Sequence, residues 1–199
     1  MLGLNMKIAK SKLARMANCK VIIVLIIVAL PFLFFFRYRE NALKAFTCQD
    51  QPIPCKDSPT LDSNLSYDSD KAYELFEKLT PEGRQMYAWT EITVDVIFPI
   101  IYSLFLSLLM IWVFQKSSNY KSQQYLAMLP FIAILFDFCE NVLIAIMLFD
   151  YQQKYLWVAW FASLFTKLKF AFLALTLAAI LFGLISLVVE FRNKRQKVH

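Results

Sequence analysis

Three polar residues stand close together inside an apolar stretch: Asp137, Glu140 and Asn141 in the run Leu126–Phe149. Steps of three and four residues put them on one face of a helix. A charge inside a membrane span costs about 2.5–3.5 kcal/mol on insertion scales, so it persists where it meets a partner, water or a ligand. Two carboxylates one turn apart repel, and a proton or a cation between them relieves the repulsion. The plainer alternative is a polar packing cluster satisfied by neighbouring helices.

Three more charges fall in apolar blocks: Asp95 in Ile92–Phe114, and Lys167 and Lys169 in Leu156–Val189. Arg84, Tyr87, Glu91, Asp95, Pro99 and Tyr102 recur every three or four residues and form one stripe. Glu91 and Asp95 are like charges one turn apart, so a cation should face them. Arg84 on the same stripe, or Lys167 across a bundle, can supply it. Alternatively Arg84, Tyr87 and Glu91 form an exposed rim above the membrane. Lys167 and Lys169 lie about 200° apart on a helix, so both cannot meet the same acid. In one placement Lys167 is buried level with Asp137 and Glu140. In the other, both lysines snorkel at the outer interface.

These groups outline a polar cup in the outer half of a bundle, open to the outside. Its candidate ligand-binding residues are Asp95, Tyr102, Asp137, Glu140, Asn141 and Lys167; Arg84, Tyr87 and Glu91 form its rim. The five in-span charges are three acids and two lysines. The imbalance implies a proton, a metal ion or a cationic ligand. No catalytic residue, metal site or cofactor is assigned. The chain has no phosphate-binding loop, no G-x-S-x-G, no H-E-x-x-H and no C-x-x-C, and its one His is terminal.

The apolar blocks must position these residues. There are four: Val21–Phe36, Ile92–Phe114, Leu126–Phe149 and Leu156–Val189. Each approaches or exceeds the ~20 residues of a membrane span. The first resembles a signal peptide in its basic flank but ends in Phe-Phe-Phe-Arg-Tyr-Arg with no small-residue cleavage site, and reads as an uncleaved anchor. Lys and Arg crowd the N-terminal tail, the loop around Lys116 and Lys121, and the C-terminal tail. The segment from Arg37 to Glu91 has seven basic and ten acidic residues. Both termini are therefore expected in the cytoplasm and the long acidic loop outside, in a plasma or inner membrane. The net charge of +6 is thus a topology signal and not a nucleic-acid footprint. Cys48 and Cys55 in the outside loop suit a disulfide in an oxidising compartment.

The expected fold is an all-α membrane protein, a single four-transmembrane-helix bundle. Its helices fall at about 21–36, 81–114, 125–149 and 156–190, with 37–80 as the extracytoplasmic loop. Thr80-Pro81-Glu82 is a helix start, and that helix should run unbroken through the second block with a kink at Pro99. Helices two and four should extend beyond the outer face. Asp70 should cap a short helix carrying Tyr73, Phe76 and Leu79 on one side. The blocks G-R-x2-Y-x7-D-x2-F-P-x2-Y (Gly83 to Tyr102) and F-D-x2-E-N (Phe136 to Asn141) resemble a set of uncharacterised four-span integral membrane proteins. That resemblance implies the four-span architecture and no activity. Three functions fit: binding or transport of a lipid, cation or polar small molecule; an accessory subunit paired with a membrane protein; or a lipid-modifying enzyme acting through Asp137 or Glu140. Membrane lipids are partners in all three.

Overall fold

A computed structural model describes residues 13–47, 60–62, 64–116 and 125–196. Cys48 and Cys55 lie outside the described residues. The described chain is helical and without strands. Its helices are α1 (Cys19–Thr47), α2 (Ser69–Lys78), α3 (Pro81–Ile92), α4 (Val94–Gln115), α5 (Leu129–Phe149) and α6 (Leu156–Gln196), with one 3-10 turn at Leu126–Met128. Four segments are long and apolar enough to cross a membrane: Cys19–Phe46, Pro81–Gln115, Leu126–Phe149 and Leu156–Asn193.

α1 runs eleven residues past Phe36, into what the sequence placed in the loop. The chain there holds no Pro or Gly, and Glu40 links Arg37 at 3.2 Å and Lys44 at 2.8 Å along the helix. The extension carries Arg39 and Leu43 on the stripe that begins with Phe32 and Phe36; both are buried.

The second span is not one helix. Thr80 caps α3 as expected, with Oγ1 accepting from Gly83 N at 3.2 Å. The helix then breaks at Thr93 (φ −121°, ψ −80°), six residues before Pro99. Thr90 Oγ1 donates to Met86 O at 2.8 Å and Thr93 Oγ1 to Trp89 O at 2.6 Å. Such back-bonding competes with the helix ladder and bends it. Pro99 sits inside α4 without ending it.

α5 packs along α6 and against α3 and α4, and α1 lies along α4. No extended packing joins α1 to α6 among the described residues. Two cores result. One, near the Gln115 end, joins Ile22, Leu108, Phe114, Ala127 and Ile180. There a β-carbon on Gly183 would stand 2.6 Å from Phe114 Cε1 and 2.7 Å from Val113 Cγ1, so glycine lets α6 pass α4 closely. Ser103 and Ser107 on α4 donate to Pro130 O (3.0 Å) and Ala127 O (2.9 Å), tying it to the start of α5.

The other core joins Leu43, Leu61, Phe76, Leu79, Tyr87, Ile144 and Ala162, so α2 and the chain before it cap that end of the bundle. Asp68, not Asp70, caps α2, accepting from Lys71 N at 2.8 Å; from one residue outside the helix its side chain reaches the amide of the third helical residue. Tyr73, Phe76 and Leu79 face inward as expected.

Candidate functional site

Two buried ion clusters face one cavity. The first is built on Arg39. Its Nη1 lies 2.6 Å from Asp95 and 3.5 Å from Glu91, and its Nη2 lies 3.4 Å from Asp62. The guanidinium also stacks near Phe36 and Tyr87, 5.2 and 5.7 Å from their ring centres. Tyr87 Oη accepts from Leu61 N at 2.7 Å and donates to Asp62 Oδ1 at 3.3 Å, which fixes the 60–62 segment over the cluster. Burial pushes the Asp62 carboxyl up, but Arg39 and then Lys169 pull it below its ordinary range.

The second cluster is built on Lys169. Its Nζ lies 3.1 Å from Asp137 and 2.5 Å from Glu140. Tyr102 Oη donates to Asp137 Oδ2 at 2.7 Å, and Thr166 Oγ1 donates to Glu140 Oε1 at 2.6 Å. Asn141 joins the two clusters: its Nδ2 donates to the Asp95 carbonyl at 2.8 Å. That carbonyl is the one an amide at position 99 would bond in an α-helix, and Pro99 has none. Asn141→Leu should therefore cost about 1–3 kcal/mol by stranding a buried acceptor. Adding Pro99→Ala should recover much of it, because alanine at that position supplies the missing N–H. A double-mutant cycle on unfolding free energies reads this; additivity of the two changes would defeat the explanation.

The cavity holds about 420 Å³. Leu33 and Phe36 of α1, Phe98 and Pro99 of α4, and Phe170 and Leu173 of α6 supply its apolar lining. Arg37, Arg39, Glu40, Thr60, Asp62, Asp95, Tyr102, Asp137, Asn141 and Lys169 supply its polar lining. The space lies between α1 and α6, with Thr60 and Asp62 of the chain before α2 also in its lining.

Several sequence expectations need correction. Lys167 is exposed, and Lys169 is the buried partner of the α5 acids. Ser163, Thr166 and Lys169 follow one another at steps of three and face inward, whereas Lys167 is turned about 100° from Thr166. Tyr87 and Glu91 are fully buried and form no rim. Arg84 does not balance the acids. It donates to Phe76 O (3.0 Å) and Leu79 O (2.6 Å), closing the C-terminal end of α2, and lies over the Tyr151 ring.

Arg39 and Asp62 were not among the sequence candidates. Arg39 was legible as a cation on the continuing Phe32–Phe36–Leu43 stripe; Asp62 lies in irregular chain and had no signal. With them, two cations face five carboxylates among the described residues: Asp62, Glu91, Asp95, Asp137 and Glu140. Asp62, Glu91 and Asp95 each place an oxygen within 4.8 Å of the others, as metal ligands do. Arg39 already stands among them, so a guanidinium takes that role here. Comparison with protein-family models, with curated proteins and with solved structures finds no match.

Proposed function

We propose that this chain is a multi-pass membrane protein, both termini cytoplasmic, that binds an amphiphile with a cationic head in the cleft between α1 and α6. The observation that carries this is a cavity with apolar walls that four carboxylates (Glu40, Asp62, Asp95 and Asp137) line against three cations (Arg37, Arg39 and Lys169), with Glu91 and Glu140 buried in the same two ion clusters. Arg37 pairs with Glu40, and Arg39 and Lys169 offset two of the three remaining lining carboxylates, so a cationic head would offset the third. Asp95 and Asp137 line the cavity from α4 and α5, close to the Phe36, Phe98 and Phe170 rings that suit an organic cation. Leu33, more than half exposed, and Leu173 also line the cavity and suit a hydrocarbon tail. The distribution of Lys and Arg supports the cytoplasmic termini.

The test is native mass spectrometry of wild type and Asp137→Asn purified in mild detergent. Asparagine keeps an acceptor for Tyr102, and Lys169 keeps Glu140, so the variant should fold. A small amine-bearing adduct should be retained by wild type and held about tenfold more weakly by the variant. Bare protein in both spectra would sink the proposal. A protein that co-purifies with wild type alone would instead favour an accessory subunit.

A further inference from the structure

A second cavity, about 430 Å³, lies on the opposite flank of α6, between that helix and the chain that leads into α2. We propose that it binds the phosphodiester head of a membrane phospholipid, with Lys71 and Lys167 as the cationic partners. Both lysines line the cavity, both are exposed, and neither forms an ion pair with a described residue. Lys167 lies eleven residues into α6 from Leu156, roughly 16 Å along its axis. It sits within a segment apolar enough to cross a membrane. An ammonium exposed to hydrocarbon at such a place is costly, and its long stem relieves the cost by carrying the charge toward a polar partner. The cavity mouth provides the place for one.

The rest of the lining fits the same occupant. Ser66 and Ser163 offer hydroxyls; Ser163 Oγ accepts from Tyr67 N at 3.3 Å and keeps its own hydrogen to donate. Asp68 is the single carboxylate on the wall, and its Oδ1 is engaged by Lys71 N. Two ammonium groups against one carboxylate favour an anion. Leu156, Trp160 and Leu164 complete the wall, and Trp160 and Leu156 are more than half exposed. Apolar walls open to lipid suit an acylated phosphate rather than a free one. In the other cavity the cations Arg37, Arg39 and Lys169 are already paired with carboxylates, so it offers the same head no free cation.

Delipidated full-length protein in mild detergent, titrated with dioleoylphosphatidylglycerol and read by native mass spectrometry, tests this. Lys71→Gln/Lys167→Gln should lose about tenfold in affinity for the first lipid, while Lys167→Arg keeps it. The unfolding midpoint without lipid should stay unchanged. Dioleoylglycerol, which lacks the phosphate, should not take the high-affinity place. Binding by the double variant within about twofold of wild type would overturn the proposal. So would equal binding of dioleoylglycerol, and displacement of the lipid by millimolar inorganic phosphate would reassign the cavity to a free anion. Should the double variant unfold early, the comparison of the two lipids on wild type decides alone.

Discussion

Arg39→Met should destabilise the folded chain by about 3–5 kcal/mol, the scale for removing one partner from a buried ion cluster. Methionine keeps the apolar stem between Phe36 and Tyr87, so the loss is mainly the charge. Three carboxylates would remain around the vacated place, with Asp95 and Glu91 on consecutive turns across the Thr93 break. The figure is a large part of a typical folding free energy of about 5–15 kcal/mol. The effect is therefore expected as a shift of the unfolding transition in mixed micelles, followed by tryptophan fluorescence. A companion variant separates charge from shape. Arg39→Met/Glu91→Gln/Asp95→Asn removes the cation and two of its anions together and should be much less destabilised than Arg39→Met alone. An Arg39→Met transition within about 1 kcal/mol of wild type would mean that the cluster is screened by water and holds nothing together.

What could be read from the sequence follows the physics of each signal. The four apolar blocks were legible because a bilayer demands long uninterrupted stretches, and the Asp137–Glu140–Asn141 face was legible because helical spacing is fixed. Helix ends were less so. α1 outlasts its apolar block because Arg37, Glu40 and Lys44 support one another at helical spacing, which composition alone reads as loop. The break at Thr93 fits threonine hydroxyls competing for backbone carbonyls, whereas Pro99, the louder signal, sits inside α4 without ending it. Its true consequence is the freed Asp95 carbonyl that Asn141 fills. Asp62 could not be found in advance, because only the folded 60–62 segment brings it to Arg39.

The cleft itself has a simple origin in the order of packing. α1 and α6 both lean on α4 near Gly183 and Ile22, where small residues and close contact permit it. In the other half each helix turns a polar group toward the middle: Arg39 from α1 and Lys169 from α6. Each cation is met by acids from α3, α4 or α5, and the space between the two pairs is the cavity. The charges that hold the bundle are thus the charges that line the site, so ligand and stability should be coupled. A molecule bound there would raise the unfolding midpoint with concentration.

Lys169→Met should cost about 3–5 kcal/mol, and Lys167→Met should change stability by less than about 1 kcal/mol. The two positions are neighbours in sequence with the same side chain, so composition, hydropathy and insertion cost are nearly matched. Only direction differs. Lys169 holds Asp137 and Glu140, both buried, at 3.1 and 2.5 Å; Lys167 lies on the exposed flank. Glu140 also receives Thr166 Oγ1 at 2.6 Å, so without Lys169 it keeps one neutral donor and no counter-charge. Adding Glu140→Gln to Lys169→Met should therefore recover part of the loss, whereas adding it to Lys167→Met should not stabilise. Unfolding of the four variants in one detergent gives the comparison. Equal costs at the two lysines would place both at the interface and dissolve the second cluster. A larger cost at Lys167 would mean that α6 is rotated by about half a turn, and the site would have to be rebuilt around the other lysine.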